Sequence, residues 1–128
     1  MTVVGMGGFF FRARDPATLK AWYRDHLGVG GGCGVDPATG QGNGYLWYQE
    51  AGPMVFEPFE ADTDYFAPDK QAMINLRVRD LDDLLGRLRE AGIAVSHEQT
   101  MDGVGRFARV HDPEGNAIEL WEPASAGR

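Results

Sequence analysis

The chain has 128 residues, enough for one domain with its own core, and its hydrophobic share of 43% is ordinary for a globular protein. A net charge of −7 excludes the basic stripe of a nucleic-acid binder, and a sole cysteine, Cys33, excludes an intrachain disulfide and a cysteine-cluster metal site. No apolar run approaches the roughly 18 residues of a membrane span, and residues 1–11 lack the basic region and cleavage pattern of a signal peptide, so a cytoplasmic protein with no nucleic-acid and no membrane partner is expected.

Gly8 to Arg14 reads as a strand. Asp15-Pro16 then opens a helix, with Asp15 as its cap and Pro16 in the first helical position. Leu19, Trp22, Tyr23, His26 and Leu27 form one apolar stripe, and Gly28 ends the helix. Eight glycines fall between Gly28 and Gly44, which makes that stretch a loop or a weak strand. It holds neither G-x-G-x-x-G nor G-x-x-x-x-G-K-[ST], which excludes a nucleotide cradle. Residues 45–50 and 54–59 read as a strand pair around Ala51-Gly52-Pro53. Residues 60–72 are polar and read as a linker in which Tyr65-Phe66 forms either a lid or a simple ordered turn. Met73 to Arg79 is a further strand, followed by a helix capped by Asp80, with Leu81, Leu84, Leu85, Leu88 and Ala91 on its apolar stripe and Gly92 at its end. A short strand over 93–98 precedes a hairpin from Gly105 to Pro123, turning at Asp112-Pro113-Glu114-Gly115-Asn116. The tail beyond Pro123 is expected to fray.

The two halves match at a constant offset of 65: Arg12, Arg14 and Asp15 lie over Arg77, Arg79 and Asp80, Leu19 over Leu84, and Phe56-Glu57-Pro58 over Trp121-Glu122-Pro123. This implies one α+β domain over 1–128 made of two β-α-β-β-β repeats, residues 6–59 and 73–123, joined by the linker 60–72 and sharing a cleft. With the repeat and the run from His111 to Leu120 in hand, the chain resembles the vicinal oxygen chelate superfamily, the glyoxalase, bleomycin-resistance and extradiol dioxygenase group, over about residues 6–123.

That resemblance implies a divalent metal on the open face, held by His or Glu on the first and last strands of each unit. The matching positions here are Gly8, Met73, Met54 and Glu119, of which Glu119 alone can ligate a hard cation. One carboxylate does not make a tight site, so no metal ligand set and no cofactor is expected, unless a one-residue slip brings in Glu57 or Glu122. The three histidines, His26, His97 and His111, read as surface residues.

Strand parity puts Phe10, Arg12, Met54, Phe56, Met73, Asn75, Arg77, Glu119 and Trp121 on the cleft face, with Trp47 as a further wall. The opposite face, with Phe9, Phe11, Ala13, Val55, Ile74, Leu76, Val78, Ile118 and Leu120, is apolar and turns toward the helices. Apolar walls with a few polar groups suit a small molecule. Arg12 and Arg77 either anchor an anionic ligand or are spent on an internal ion pair, for example with Glu119. Glu119, if desolvated without a metal, is the candidate general base. The expected function is a metal-independent binding or catalytic protein for a small organic molecule, anionic or aromatic. The alternatives are a metal-dependent lyase or dioxygenase with altered ligands and a non-catalytic drug-sequestering protein. The resemblance also implies a homodimer.

Overall fold

The computed structural model describes residues 2–124, so the tail expected to fray lies outside the described residues beyond Ala124. The elements run α1 (Pro16–Leu27), β1 (Ile74–Arg77), α2 (Leu81–Glu90), β2 (Ser96–Met101), β3 (Gly105–His111) and β4 (Ala117–Pro123). The four strands form one sheet in the order β1-β4-β3-β2, with β1 parallel to β4 and the other pairs antiparallel. This is the β-α-β-β-β unit expected of the second half. No helix among the described residues is long and apolar enough to cross a membrane.

Local chemistry sets the helix ends as the sequence indicates. The Asp15 carboxylate accepts from the Thr18 amide at 3.2 Å, Pro16 follows it, and Gly28 closes α1 at φ 66°, a left-handed conformation that costs glycine nothing. For α2 the cap is shared. Asp80 accepts from the Asp83 amide, and Glu122, reaching across from β4, accepts from the Leu81 amide at 2.8 Å.

The first half departs from expectation. Residues 8–14, 45–50 and 54–59 form no strand among the described residues, so this half contributes α1 and loops. Without a sheet of its own to cover, α1 turns its stripe to the second half. Leu19 and Tyr23 are buried in one cluster with Leu81, Leu84, Leu85 and Leu88 of α2 and with Ala108, Val110, Ile118 and Leu120 of the sheet. Both helices therefore lie on the same apolar face of the sheet, and the opposite face stays open. Of the residues assigned to the helix side, Ile118 and Leu120 are fully buried and Ala13, Leu76 and Val78 pack against the core, whereas Phe9, Phe11 and Val55 are exposed. The strand foreseen over 93–98 forms three residues later, at 96–101.

Candidate functional site

The hairpin turn anchors this region. The Asp112 carboxylate is buried and gathers the whole turn: it accepts from the amides of Glu114 (2.9 Å) and Asn116 (3.0 Å) and from the Asn116 side chain (2.8 Å). It also accepts the Tyr23 hydroxyl of α1 at 2.7 Å. Burial first, and then the Asp112 carboxylate, push the Tyr23 phenol far above its ordinary range. Beside it, Glu114 accepts from the amides of Arg14 and Asp15 at 2.6 and 2.9 Å, and those two bonds hold its carboxyl below the usual range. The run from Asp112 to Asn116 thus ties the first half of the chain to the second.

The same turn sets the register of β3 against β4: His111 faces Ala117, Arg109 faces Glu119 and Phe107 faces Trp121. In the parallel pair, Asn75 faces Glu119 and Arg77 faces Trp121. Glu119 therefore stands between Asn75 and Arg109 on the open face. Its Oε1 accepts from Asn75 Nδ2 at 2.8 Å, and its Oε2 accepts a short hydrogen bond from the Tyr65 hydroxyl. That bond is the first cause of a raised Tyr65 pKa, followed by burial, while Arg109 acts in the opposite direction. The Arg109 guanidinium lies 4.8 Å from the centre of the Tyr65 ring. Arg109 is buried to 6% exposure, its Nη2 reaches Met73 Sδ at 3.6 Å, and its Nε has no hydrogen-bond partner. Next along the face, the rings of Phe107 and Trp121 are parallel with centroids 6.1 Å apart, and Trp121 Nε1 donates to the Val104 carbonyl at 2.9 Å. Gly105 must be glycine there: at φ 136°, a Cβ would sit 2.2 Å from the Glu122 carbonyl oxygen.

Of the residues expected in the cleft, Glu119, Asn75, Met73 and Trp121 come together on this face. Arg77 joins Trp121 in register but donates to the Glu50 carbonyl at 3.1 Å, against Gly52, and Trp47 is half-buried nearby in sequence. Phe10, Met54 and Phe56 stand 92%, 63% and 76% exposed on the unpaired segments, outside the bonded arrangement around Glu119. Arg12 is also exposed and lines a separate shallow cavity of about 600 Å³ with Arg14, Lys70 and Glu114. Of the two readings of Arg12 and Arg77, the ion pair with Glu119 is not made: Arg77 donates to the Glu50 carbonyl and Arg12 is exposed. The arginine beside Glu119 is Arg109. Sequence reasoning missed Arg109 and Phe107, although counting back from the turn pairs both with cleft residues. The linker is a run of turns, and it places Tyr65 against Glu119.

The donor set does not fit a divalent ion. Glu119 is met by an amide N–H, a phenol and a buried guanidinium with its fixed positive charge. Among the described residues, no three His, Cys, Asp or Glu side chains are grouped to hold a metal.

A search of curated proteins returned no match. Solved structures share the fold. One is TnmS3, an antibiotic binding protein from Streptomyces sp. CB03234, at 21% identity, covering 97% of this chain and 99% of that one, with a TM-score of 0.60. Another is a glyoxalase/bleomycin resistance protein/dioxygenase superfamily member from Sphaerobacter thermophilus, at 16% identity over 95% and 99% of the two chains, with a TM-score of 0.56. A third, a domain described in the same terms from Frankia sp., is 21% identical over 95% and 99%, with a TM-score of 0.53. The family model for the glyoxalase/bleomycin resistance protein/dioxygenase superfamily matches residues 5–120, and the chain, with its β-α-β-β-β unit and its carboxylate on the open face, belongs to that superfamily.

Proposed function

We propose that this protein binds a small organic molecule on the face around Glu119, without a metal ion, and that it works as a homodimer. One observation carries the binding reading. Glu119 stands on an open sheet face with each carboxylate oxygen accepting a hydrogen bond, from Asn75 and from Tyr65, between a buried arginine and a stacked aromatic pair. An oriented acceptor among aromatic walls suits a ligand with one donor group and a flat apolar body. In this reading Glu119 orients the ligand. It acts as a base only when Tyr65 vacates its oxygen. A neighbour of the same fold is described as an antibiotic binding protein, so small-molecule binding is among the roles this fold hosts.

The dimer reading rests on the first half. Phe10, Met54 and Phe56, together with Phe9, Phe11 and Val55, expose more apolar surface than a lone soluble chain normally leaves open. They lie on segments that form no strand among the described residues, so a second copy offers both the apolar cover and the pairing.

A thermal-shift screen of small organic molecules in metal-free buffer tests the binding reading. A ligand at a hundred times its Kd stabilises by about 2.7 kcal/mol, which raises the melting temperature of a chain this size by on the order of 10 °C. The shift is expected to vanish in Glu119→Ala, and the ligand to be recovered unchanged. Turnover would make the protein an enzyme. Stoichiometric uptake of Mn, Fe, Ni or Zn that is lost in Glu119→Ala would overturn the metal-free reading. Light scattering that gives a single 14.0 kDa chain would remove the dimer.

A further inference from the structure

Tyr65 sits where a ligand would sit. It comes from residues 60–72, a segment of turns rather than a strand, and is itself 38% exposed. Its segment is held mostly by local bonds, Thr63 N–H to the Glu60 carbonyl and Lys70 N–H to the Ala67 carbonyl, with one longer tie from Lys70 Nζ to the Glu114 carbonyl. The phenol ring is backed edge-on by Phe59, 5.6 Å between centroids. On the sheet face, Tyr65 makes two contacts of different chemistry: its hydroxyl donates to Glu119, and its ring lies over the Arg109 guanidinium.

The fit is incomplete on the side of the arginine. A buried guanidinium carries five N–H donors and seeks acceptors. Here Nε has none, and Nη2 reaches a thioether, a weak acceptor. Tyr65 supplies a π face and a hydroxyl oxygen that also acts on the guanidinium, yet Nε is left without an acceptor. The face is therefore built to take a flat ring with one donating hydroxyl, and it holds unspent donor capacity for a ring that also carries an acceptor oxygen.

From this we infer that Tyr65 is an intramolecular stand-in, and that the molecule displacing it is a hydroxylated planar aromatic whose hydroxyl donates to Glu119 and whose ring covers Arg109. This rests on the reading that the face around Glu119 binds small molecules, and it names the ligand class. Asn75 keeps the carboxylate oriented throughout by holding Oε1, so the exchange takes place at Oε2 alone. Because the phenol and the ligand compete for one oxygen and one ring position, removing the tyrosine strengthens binding rather than weakening it.

The test uses the full chain and two probes, 2-naphthol and 2-methoxynaphthalene, which share a ring system and differ in the donor. Fluorescence titrations are run on the wild type, Tyr65→Ala and Tyr65→Phe. Tyr65→Ala is expected to bind 2-naphthol at least tenfold more tightly than the wild type, and to bind 2-methoxynaphthalene at least tenfold more weakly than 2-naphthol. Adding Glu119→Ala to Tyr65→Ala abolishes that preference. Should Tyr65→Ala fail to fold, Tyr65→Phe keeps the ring but frees Oε2, and a several-fold gain for 2-naphthol is expected there. Equal affinity for the two probes, or no gain on losing the Tyr65 hydroxyl, overturns the inference. If other compounds stabilise the wild type in a Glu119-dependent way while 2-naphthol does not, the ligand class is wrong and the binding face stands. If nothing binds at all, both fall.

Discussion

Replacing Asp112 by alanine tests how the two halves of the chain are held together. The carboxylate is 4% exposed and accepts four hydrogen bonds, three from the turn and one from Tyr23. Removing it strands a buried tyrosine hydroxyl, which alone costs about 1–3 kcal/mol. It also frees the two turn amides and the Asn116 side chain; these regain water at the surface, so their loss adds roughly 1–2 kcal/mol. The expected total is about 2–5 kcal/mol, a large part of the 5–15 kcal/mol that holds an ordinary domain together. At about 4 °C per kcal/mol, the melting temperature should fall by roughly 8–20 °C.

Urea unfolding of Asp112→Ala, Tyr23→Phe and the double variant apportions that loss. Tyr23→Phe alone should cost about 1–2 kcal/mol, since the ring stays packed and only the bond is lost. The double variant should cost less than the sum of the two by about 1–2 kcal/mol, because the Tyr23–Asp112 bond is counted in both single variants. A loss below about 1 kcal/mol for Asp112→Ala, or additive effects in the cycle, would refute the claim that this turn is what fastens α1 to the sheet.

The same contacts set three further outcomes. Glu114 has its pKa lowered by the amides of Arg14 and Asp15. Its contribution to stability is therefore present above the ordinary carboxylate range and is lost as pH falls through the lowered value, and the acid limb of an unfolding-versus-pH curve should flatten in Glu114→Gln. The Tyr23 and Tyr65 phenols are raised, so their contribution is present below the ordinary tyrosine range and is lost as pH climbs above it. Absorbance titration at alkaline pH should show the Tyr65 fraction ionising earlier in Glu119→Ala. Leu85, 1% exposed between α2 and the sheet, should cost about 2–5 kcal/mol as Leu85→Ala in denaturant unfolding, with binding at the Glu119 face unchanged.

Periodicity and punctuation carried the second half. The Asp80 cap, the leucine stripe, and the turn from Asp112 to Asn116 each have one physical solution, and α2, β3 and β4 form where those signals put them. Parity along β4 separated Glu119 and Trp121 from Ile118 and Leu120, and burial follows that split. The same parity puts Arg109 opposite Glu119, but its burial was not legible, because a charged residue in a strand is expected to face water. It is buried because it lies opposite Glu119 beneath Tyr65, a segment more than 40 residues away in sequence. The dual role of the turn was hidden for a similar reason: Asp112 and Glu114 read as turn formers, and their bonds to Tyr23 and to the Arg14 and Asp15 amides join residues about 90 to 100 positions apart.

The unequal structure of the two halves has a cause in composition. At the offset of 65, the central strand β3 lies over residues 40–46, where Gly40, Gly42 and Gly44 stand in place of Gly105, Phe107 and Arg109. Glycine offers a strand no side chain to pack and loses the most backbone freedom on ordering. The turn Asp112–Asn116 lies over Trp47-Tyr48-Gln49-Glu50-Ala51, which has none of the residues that close a tight hairpin. The last strand of the first unit, residues 52–58, thus loses both the neighbour and the turn that hold β4 in the second, while its apolar residues Met54, Val55 and Phe56 remain. A segment with strand-type side chains and no strand partner among the described residues is a template for pairing with another edge. The sheet has such an edge in β1, which pairs on one side only and ends one strand away from Glu119. A second copy docking there would bring the apolar residues of the first half to the rim of the binding face, so dimerisation and ligand binding would rise and fall together.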